Sequence, residues 1–274
     1  MANSAWRLII SPSSTGAWNM SLDEAIMEAA TAGNQLPTLR LYAWEPACLS
    51  LGHAQPVADV DLPALEQRGW QLVRRPTGGR AILHTDELTY SVCAHQENPL
   101  MTGGILESYR RISLALTRGL EKLQINANAD HQYGLPEGSR LNAAVCFEVP
   151  SNYEITANGK KLIGSAQARR SLGVLQHGSL PLFGDLTRIT EVLKFEAPGE
   201  RTAAARRLLD HATTVKSILG VAPTWENAAE SLKQAFQEQI QVELVENPPS
   251  QAEIERAHYL EIEKYANPAW TYRI

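Results

Sequence analysis

A hairpin pattern near the middle of the chain constrains the fold most directly. Residues 153–156 and 162–163 are strand-like, and Ala157-Asn158-Gly159 between them is a turn signal. Two strands joined by so short a turn must pair in opposite directions, so the pattern predicts an antiparallel ladder. We interpret the next segment, Gly164-Ser165-Ala166, as a turn built of small residues.

The hairpin would return Lys161 towards Cys146, which precedes it in the chain. An ammonium group near a thiol stabilises the thiolate and lowers its pKa, as a cysteine nucleophile requires at neutral pH. The alternative is that Cys146 is a small buried hydrophobe and Lys161 a solvated hairpin residue. The residues alone leave both interpretations open.

Length and composition predict a soluble, cytoplasmic protein. The chain has 274 residues, 44% of them hydrophobic and 20% charged, and a formal net charge of −5. This charge argues against a general nucleic-acid or anionic-membrane surface, and no apolar run approaches the length of a membrane span. Three widely spaced cysteines without a CxxC pair, and seven histidines without an HExxH pattern, predict no structural disulfide and no metal.

A second informative stretch is a glycine pair surrounded by arginines, at residues 74–84. Paired glycines let a ligand approach the backbone closely and offer N–H donors, while arginines add charge-assisted donors. We therefore predict a ligand-binding loop, with an ordinary hairpin turn as the alternative. The histidine at its end, His84, taken alone fits a hydrogen-bonded core residue better than a general base.

The remaining pattern predicts alternating strands and helices. A strand at residues 173–182 contains Gln176-His177-Gly178-Ser179, and an interior glycine often marks close approach by a ligand or another backbone. Other strands are predicted at residues 6–10, 39–42, 48–51, 70–74, 87–94 and 241–245, and helices at residues 17–32, 60–68, 105–123, 185–193, 201–210, 213–219, 224–239 and 249–264. The loop of residues 126–142, with His131 and Arg140, is a candidate lid. We expect a main domain over residues 1–199 and a helical extension over residues 200–274.

Together these stretches resemble the superfamily of lipoate-protein ligase A, biotin ligases and octanoyltransferases. The motifs that carry the resemblance are residues 74–84 (RRPTGGRAILH), 88–92 (LTYSV) and 159–166 (GKKLIGSA). Residues 146–147 (CF), 150–154 (PSNYE) and 176–179 (QHGS) are most similar to the LipM-type octanoyltransferases, and residues 19–25 and 37–55 fit the same pattern. The resemblance covers residues 6–195 strongly.

The resemblance implies an α+β fold, in which helices flank a mixed, largely antiparallel central sheet and a small second sheet lies beside the site. It also implies a reaction: an octanoyl group passes from the phosphopantetheine thioester of acyl carrier protein to an enzyme cysteine. From there it passes to a lysine of a lipoyl domain, typically the glycine-cleavage H protein. No cofactor, ATP, nucleic acid or membrane is implied.

The resemblance also assigns residues. Cys146 corresponds to the nucleophile, and Lys161 to the group that lowers its pKa and holds the acyl carbonyl. The substrate pocket corresponds to Arg75, Gly78, Gly79, Arg80, His84, Gly164, Ser165, Ala166, His177 and Gly178. Since carrier domains are generally acidic, we expect a docking patch at Arg74, Arg75, Arg169 and Arg170, or else ordinary solvated arginines there.

Three other functions fit parts of the same pattern. An ATP-dependent lipoate-protein ligase shares the glycine loop and the lysine but needs no cysteine, so Cys146 favours the transferase. An amidotransferase that moves octanoyl or lipoyl groups between carrier proteins is also cysteine-dependent. A catalytically inactive carrier-binding module is the non-enzymatic alternative. A biotin ligase fits less well, because its GRGRxG loop is absent from the sequence.

Overall fold

The computed structural model describes residues 4–129 and 154–274. Its strands are β1 (Ser4–Ile10), β2 (Thr38–Tyr42), β3 (Cys48–Leu51), β4 (Gln71–Arg74), β5 (Ile82–His84), β6 (Glu87–His95), β7 (Ala127–Asn128), β8 (Glu154–Ala157), β9 (Lys160–Arg170), β10 (Gly173–Pro181) and β11 (Val242–Glu246). Its α-helices are α1 (Gly16–Thr31), α2 (Leu62–Gln67), α3 (Ile105–Lys122), α4 (Pro198–His211), α5 (Val215–Leu219), α6 (Trp225–Ile240), α7 (Gln251–Leu260) and α8 (Pro268–Thr271). A 3-10 helix covers Leu186–Val192, and a π-helical turn, Glu261–Tyr265, continues α7.

The large sheet has eight strands within these two ranges, in the order β11-β1-β2-β6-β10-β9-β8-β7. Strand β1 pairs in parallel with β11 and β2, and the remaining pairs are antiparallel. The central strand β6 is buried almost throughout. The sheet is thus mixed and largely antiparallel, which confirms the predicted fold class.

A small second sheet of three strands, β4-β3-β5, lies beside the large one in the described part of the chain. Strand β3 pairs in parallel with β4 and antiparallel with β5. Its apolar residues form a separate core with α2, α4 and the 186–192 helix, including Leu49, Leu65, Ile189 and Leu208. The loop between β4 and β5 holds the glycine pair.

Helices cover both faces of the large sheet. On one face, α3 and α6 bury residues such as Ile112, Leu116 and Phe236 against the sheet. They approach closely, since a Cβ added at Gly119 would lie 2.5 Å from a methyl group of Leu232. On the other face, α1 and α7 pack around Met20 and other apolar side chains. No helix in the described ranges is long and apolar enough to cross a bilayer.

Most predicted elements are confirmed, including the β8–β9 hairpin around Asn158 and Gly159. The small-residue turn predicted at Gly164-Ser165-Ala166 is wrong, because these residues lie inside β9. Their backbone pairs with residues 177–179 of β10, and this ladder keeps them extended. Helix α8 was not predicted, although Asn267 caps it and Pro268 follows, a typical helix start.

The region after residue 200 contacts the rest of the molecule extensively. Strand β11 pairs with β1, α6 packs on α3, and α7 packs on α1. The most buried link is an ion pair in which Arg7 of β1 donates two hydrogen bonds to Glu253 of α7, at 2.7 and 2.5 Å. Both side chains are 2% exposed. Burial alone raises the pKa of Glu253, but hydrogen bonds from Arg7 and Ser250 bring it below its usual value.

We expect Glu253→Ala to lower the free energy of unfolding by about 3–5 kcal/mol, because Arg7 would be left as a buried charge without its partner. Urea denaturation followed by circular dichroism measures the change. The matched control is Glu255→Ala on the exposed side of the same helix, expected to change stability by less than about 0.5 kcal/mol. Equal losses in the two variants would contradict the role given to the Arg7–Glu253 pair.

Candidate active site

A cavity of about 380 Å³ opens between the large sheet and the small sheet. All ten residues predicted for the substrate pocket line it: Arg75, Gly78, Gly79, Arg80, His84, Gly164, Ser165, Ala166, His177 and Gly178. Apolar side chains complete the wall, among them Met20, Trp44, Ile82 and Ile105. A cavity of this size lies within the range of small-molecule sites, about 300–1,000 Å³.

The glycine loop between β4 and β5 is held in place by the side chain of Arg75. This guanidinium is buried and donates hydrogen bonds to the carbonyl oxygens of Ser50 at 3.0 Å, Gly78 at 2.9 Å and Arg80 at 2.7 Å. Gly79 has a φ of +95°, which favours glycine. A Cβ added at Gly52 would lie 1.9 Å from the Gly79 carbonyl oxygen, so the loop packs directly on Gly52.

His84 forms part of the cavity wall as a fully hydrogen-bonded residue. Its Nε2 lies 2.8 Å from Ser50 Oγ and its Nδ1 lies 2.6 Å from Glu87 Oε1. The ring stacks on Trp44, with 3.9 Å between ring centroids. Glu87 also accepts a hydrogen bond from Thr89. The sequence-based interpretation as a hydrogen-bonded core histidine agrees with this geometry.

His177 connects the other wall of the cavity to a buried carboxylate. Its Nδ1 lies 3.6 Å from Asp23 Oδ2, and its Nε2 lies 2.7 Å from Thr77 Oγ1 in the glycine loop. Burial lowers the pKa of His177, so the ring is neutral at neutral pH. With the Nδ1 proton facing the carboxylate, Nε2 accepts a hydrogen bond from the Thr77 hydroxyl. His177 therefore fixes the loop relative to β10.

Asp23 on α1 is at the centre of this arrangement. Its carboxylate accepts hydrogen bonds at 2.8 Å each from Arg40, Tyr42 and Ser91, on strands β2 and β6. Burial by itself raises the pKa of Asp23, but the charge and hydrogen bond of Arg40, together with the nearby His177 ring, bring it below its usual value. Asp23 is therefore an anion that joins α1, β2, β6 and β10.

Lys161 does not line the cavity, although it lies on β9 only three residues before Gly164. Its side chain is 3% exposed, and its Nζ lies 2.7 Å from Glu154 Oε1. Its predicted partner Cys146, together with His131 and Arg140, falls in residues 130–153, outside the described part of the chain. The activation of Cys146 by Lys161 therefore stays a prediction.

The two cysteines in the described ranges, Cys48 and Cys93, are both buried. Burial raises the pKa of both thiols. Since the thiolate is the nucleophilic form, neither suits covalent catalysis. The described residues also contain no cluster of three side chains that would suit a metal ion.

The predicted docking patch is wrong for Arg74 and Arg75, because both side chains are buried. Arg74 is fully buried and donates hydrogen bonds to the carbonyl oxygens of Gln55 at 2.6 Å and Thr271 at 2.8 Å. It therefore holds α8 against the small sheet. Because helix α8 was not predicted, this partner of Arg74 was not predicted either.

Sequence reasoning also missed several residues around the cavity, namely Asp23, Ser50, Thr77, Glu87 and Gln176. Asp23 lies within residues 19–25, which fit the family pattern but were assigned no role. Thr77 lies inside the glycine loop, where only the glycines and arginines were considered. Ser50 and Glu87 contact His84, and only the three-dimensional structure brings them to it.

Comparison with known proteins identifies the family. A family model described as "Lipoyl protein ligase A/B catalytic domain" matches residues 15–237. The chain belongs to this family. Curated relatives named octanoyltransferase LipM are 40% identical in Kyrpidia tusciae, over 98% of both chains, and 40% identical in Moorella thermoacetica, over 100% of both. The Bacillus subtilis relative of the same name is 32% identical over 100% of both chains.

Solved structures of the family share the fold. A bipartite lipoate protein ligase from Thermoplasma acidophilum superposes with a TM-score of 0.80 at 23% identity, covering 99% of this chain and 97% of that one. A lipoate-protein ligase A bound with ATP superposes with a TM-score of 0.78 at 24% identity, covering 98% of each chain.

Gly52 and Gly78 provide a test of how closely the glycine loop packs, because an added side chain would clash at Gly52 and not at Gly78. We expect Gly52→Ala to lower the free energy of unfolding by about 1–3 kcal/mol, because the added Cβ must displace the Gly79 carbonyl. Gly78→Ala should change it by less than about 0.5 kcal/mol, since its added Cβ meets no atom within 4 Å. Thermal unfolding of the two variants tests this difference, and an unperturbed Gly52→Ala variant would contradict the close packing of the loop.

Proposed function

We infer that this protein is an octanoyltransferase of lipoate biosynthesis, which moves an octanoyl group from a thioester donor to a lysine of a lipoyl domain. The observation that carries the proposal is the apolar cavity beside the glycine loop, in a chain 40% identical over nearly its full length to octanoyltransferases. Acyl carrier protein is the proposed donor, and a lipoyl domain such as the H protein is the proposed acceptor. The proposed location is the cytoplasm.

An acyl chain suits the cavity because the wall along β9 is made of small residues. Gly164, Ser165 and Ala166 leave space between the sheet and the apolar side chains opposite. Burial of a methylene group contributes about 0.8 kcal/mol, so an octanoyl chain would gain roughly 5 kcal/mol of binding. The depth of the cavity then selects the length of the chain.

The proposed chemistry has two steps and needs no ATP. The Cys146 thiolate attacks the thioester carbonyl of the donor, and the donor sulfur leaves as a thiolate that takes up a proton. The lysine amine of the lipoyl domain then attacks the octanoyl-enzyme thioester. An amide forms, the amine loses a proton, and the Cys146 thiolate is regenerated.

Lys161 is the proposed partner of this thiol and of the acyl carbonyl. Support comes from the way its side chain is held, since Glu154 Oε1 lies 2.7 Å from its Nζ and both are buried. A buried ammonium group paired with a carboxylate has a fixed position, from which its charge can act on a neighbouring thiol or carbonyl group. Residues 1–199 are the proposed catalytic core, with residues 200–274 as an extension packed on it.

Mass spectrometry of the intact protein tests the covalent step. After mixing with octanoyl-acyl carrier protein without ATP, we expect a hydroxylamine-sensitive octanoyl adduct on the wild type and none on Cys146→Ala. Cys48→Ala is the matched control and should still form the adduct, because the Cys48 thiol is buried with a raised pKa. If no adduct forms, and modification of a lipoyl domain requires ATP with free octanoate or lipoate, the protein is a ligase.

A change in the cavity tests its role in chain-length selection. Ala166→Leu fills the space of about three methylene groups and so excludes the end of the octanoyl chain. A hexanoyl chain is two methylene groups shorter, a difference of about 1.6 kcal/mol, so kcat/KM for octanoyl donors should fall roughly 15-fold relative to hexanoyl donors. Ala166→Gly removes a methyl group instead and should keep the octanoyl preference or extend it to longer chains. A series of acyl donors measured with each variant gives the result, and an unchanged preference in Ala166→Leu would place the chain elsewhere.

A further inference from the structure

A second cleft, with a volume of about 580 Å³, adjoins the acyl cavity. The cleft and the cavity share the wall formed by Gly78, Gly79 and Arg80. The rest of the cleft is lined by His53, Ala54, Gln55, Pro76, Ala168, Arg169 and Arg170. The proposed acyl chemistry leaves this cleft without a role.

Strand β9 runs along both spaces. Residues 164–167 line the acyl cavity, and residues 168–170 line the cleft. Side chains alternate between the two faces of a strand, so Ala166, Ala168 and Arg170 share one face of β9. Because a strand rises by roughly 3.3 Å per residue, Arg170 lies about 13 Å along β9 from Ala166. A ligand that occupies both spaces would therefore be long and narrow.

The cleft is strongly cationic. None of the ten residues that line it is acidic, and three of them are arginines. Arg273 adds a charge at the rim, where it donates a hydrogen bond to the His53 carbonyl oxygen at 2.7 Å. Burial, together with the charges of Arg273 and Arg170, lowers the pKa of His53, and burial with the charge of Arg170 lowers the pKa of Arg273. Arg170 and Arg273 repel each other, and an anion would relieve that repulsion.

Arg169 and Arg170 differ in what their side chains contact. The guanidinium of Arg169 donates hydrogen bonds to the backbone carbonyl oxygens of Gly103 at 2.8 Å and Met101 at 2.9 Å, and to Gln167 at 2.8 Å. Within residues 4–129 and 154–274, no hydrogen bond or ion pair uses the Arg170 side chain. The nearby Lys264 is already paired with Glu24 at 2.6 Å. Arg170 is therefore the cleft cation best placed to receive a ligand.

We propose that this cleft binds the phosphopantetheine arm of the acyl donor, with its phosphate at Arg170 and its thioester beside the glycine loop. The proposal rests on the octanoyltransferase function above. Roughly 13 bonds separate the phosphorus from the sulfur of such an arm, which spans about 15 Å when extended at 3.3–3.6 Å for every three bonds. The arm is therefore long enough to reach from Ala166, at the acyl cavity, to Arg170. Arginine also forms charge-assisted hydrogen bonds to phosphate oxygens.

Binding measurements test the assignment of the cleft to the phosphopantetheine arm without any catalytic turnover. Calorimetry with wild-type protein should show phosphopantetheine binding at least roughly tenfold tighter than pantetheine, which lacks the phosphate. Arg170→Ala should abolish most of this difference, and Arg170→Lys should restore part of it. The matched control is Arg206→Ala on the exposed side of α4, which should behave as wild type. Thermal unfolding of each variant checks that the fold is kept.

Steady-state kinetics place the arm in the reaction. Arg170→Ala should raise KM roughly tenfold for octanoyl-acyl carrier protein and for octanoyl-coenzyme A, which both carry the phosphorylated arm, with little change in kcat. KM for octanoyl-pantetheine should stay unchanged. Wild-type transfer from the two phosphorylated sources also shows which one the enzyme prefers.

Three results would overturn the proposal. Wild-type protein could bind pantetheine as tightly as phosphopantetheine, or bind inorganic phosphate as tightly as phosphopantetheine, which would make the cleft a general anion site. Arg170→Ala could also raise KM for the carrier protein alone, which would place Arg170 against the protein surface. If phosphopantetheine binds as expected but no octanoyl donor acylates the enzyme, the proposed function fails while the cleft assignment stands.

Discussion

The buried ion pair of Asp23 and Arg40 is the interaction on which the site depends most. The carboxylate and the guanidinium are 2.8 Å apart, and neither side chain is exposed to solvent. Removing two charges from water is costly, and only good geometry with further hydrogen bonds offsets that cost. Tyr42 and Ser91 supply such bonds to Asp23, and Asn19 supplies one to Arg40. The network thereby fixes α1 against the sheet. The hydrogen bond between His177 and Thr77 links the glycine loop to the same network.

Several glycines line the cavity, and the structural reason for a glycine differs from one position to another. A Cβ added at Gly178 would lie 2.5 Å from the Gly164 carbonyl oxygen and 2.8 Å from the Tyr90 ring, so this glycine serves the packing of the protein itself. A Cβ added at Gly78 would meet nothing within 4 Å, so this position faces open space. Both glycines line the cavity, but only at Gly78 would an added side chain enter open space.

Local patterns predicted much of this structure. The strand alternation, the Asn158-Gly159 turn and the helix periodicities predicted most elements. The ten residues that line the cavity came from the family resemblance, and their role in binding substrate stays a prediction. What escaped prediction depends on contacts between distant parts of the chain. Arg74 meets Thr271 nearly 200 residues later, and Ser50 meets His84 across the small sheet. No local pattern marks such pairs. The small residues 164–166 looked like a turn because their pairing with β10 is decided by residues beyond them.

Four arginines that look alike in the sequence have different surroundings, and strand geometry explains why. Side chains alternate between the two faces of a strand, so Arg169 lies on the same face as Ser165 and Gln167, where the segment before helix α3 supplies backbone acceptors. Arg170 lies on the opposite face, where its guanidinium has no hydrogen-bond partner among residues 4–129 and 154–274. Arg74 ends strand β4 and Arg75 follows it, and both guanidinium groups donate hydrogen bonds to nearby carbonyl oxygens. A net charge of −5 is therefore compatible with a cationic cleft, because the charge that a ligand meets depends on which side chains line the cleft and not on the total charge of the chain.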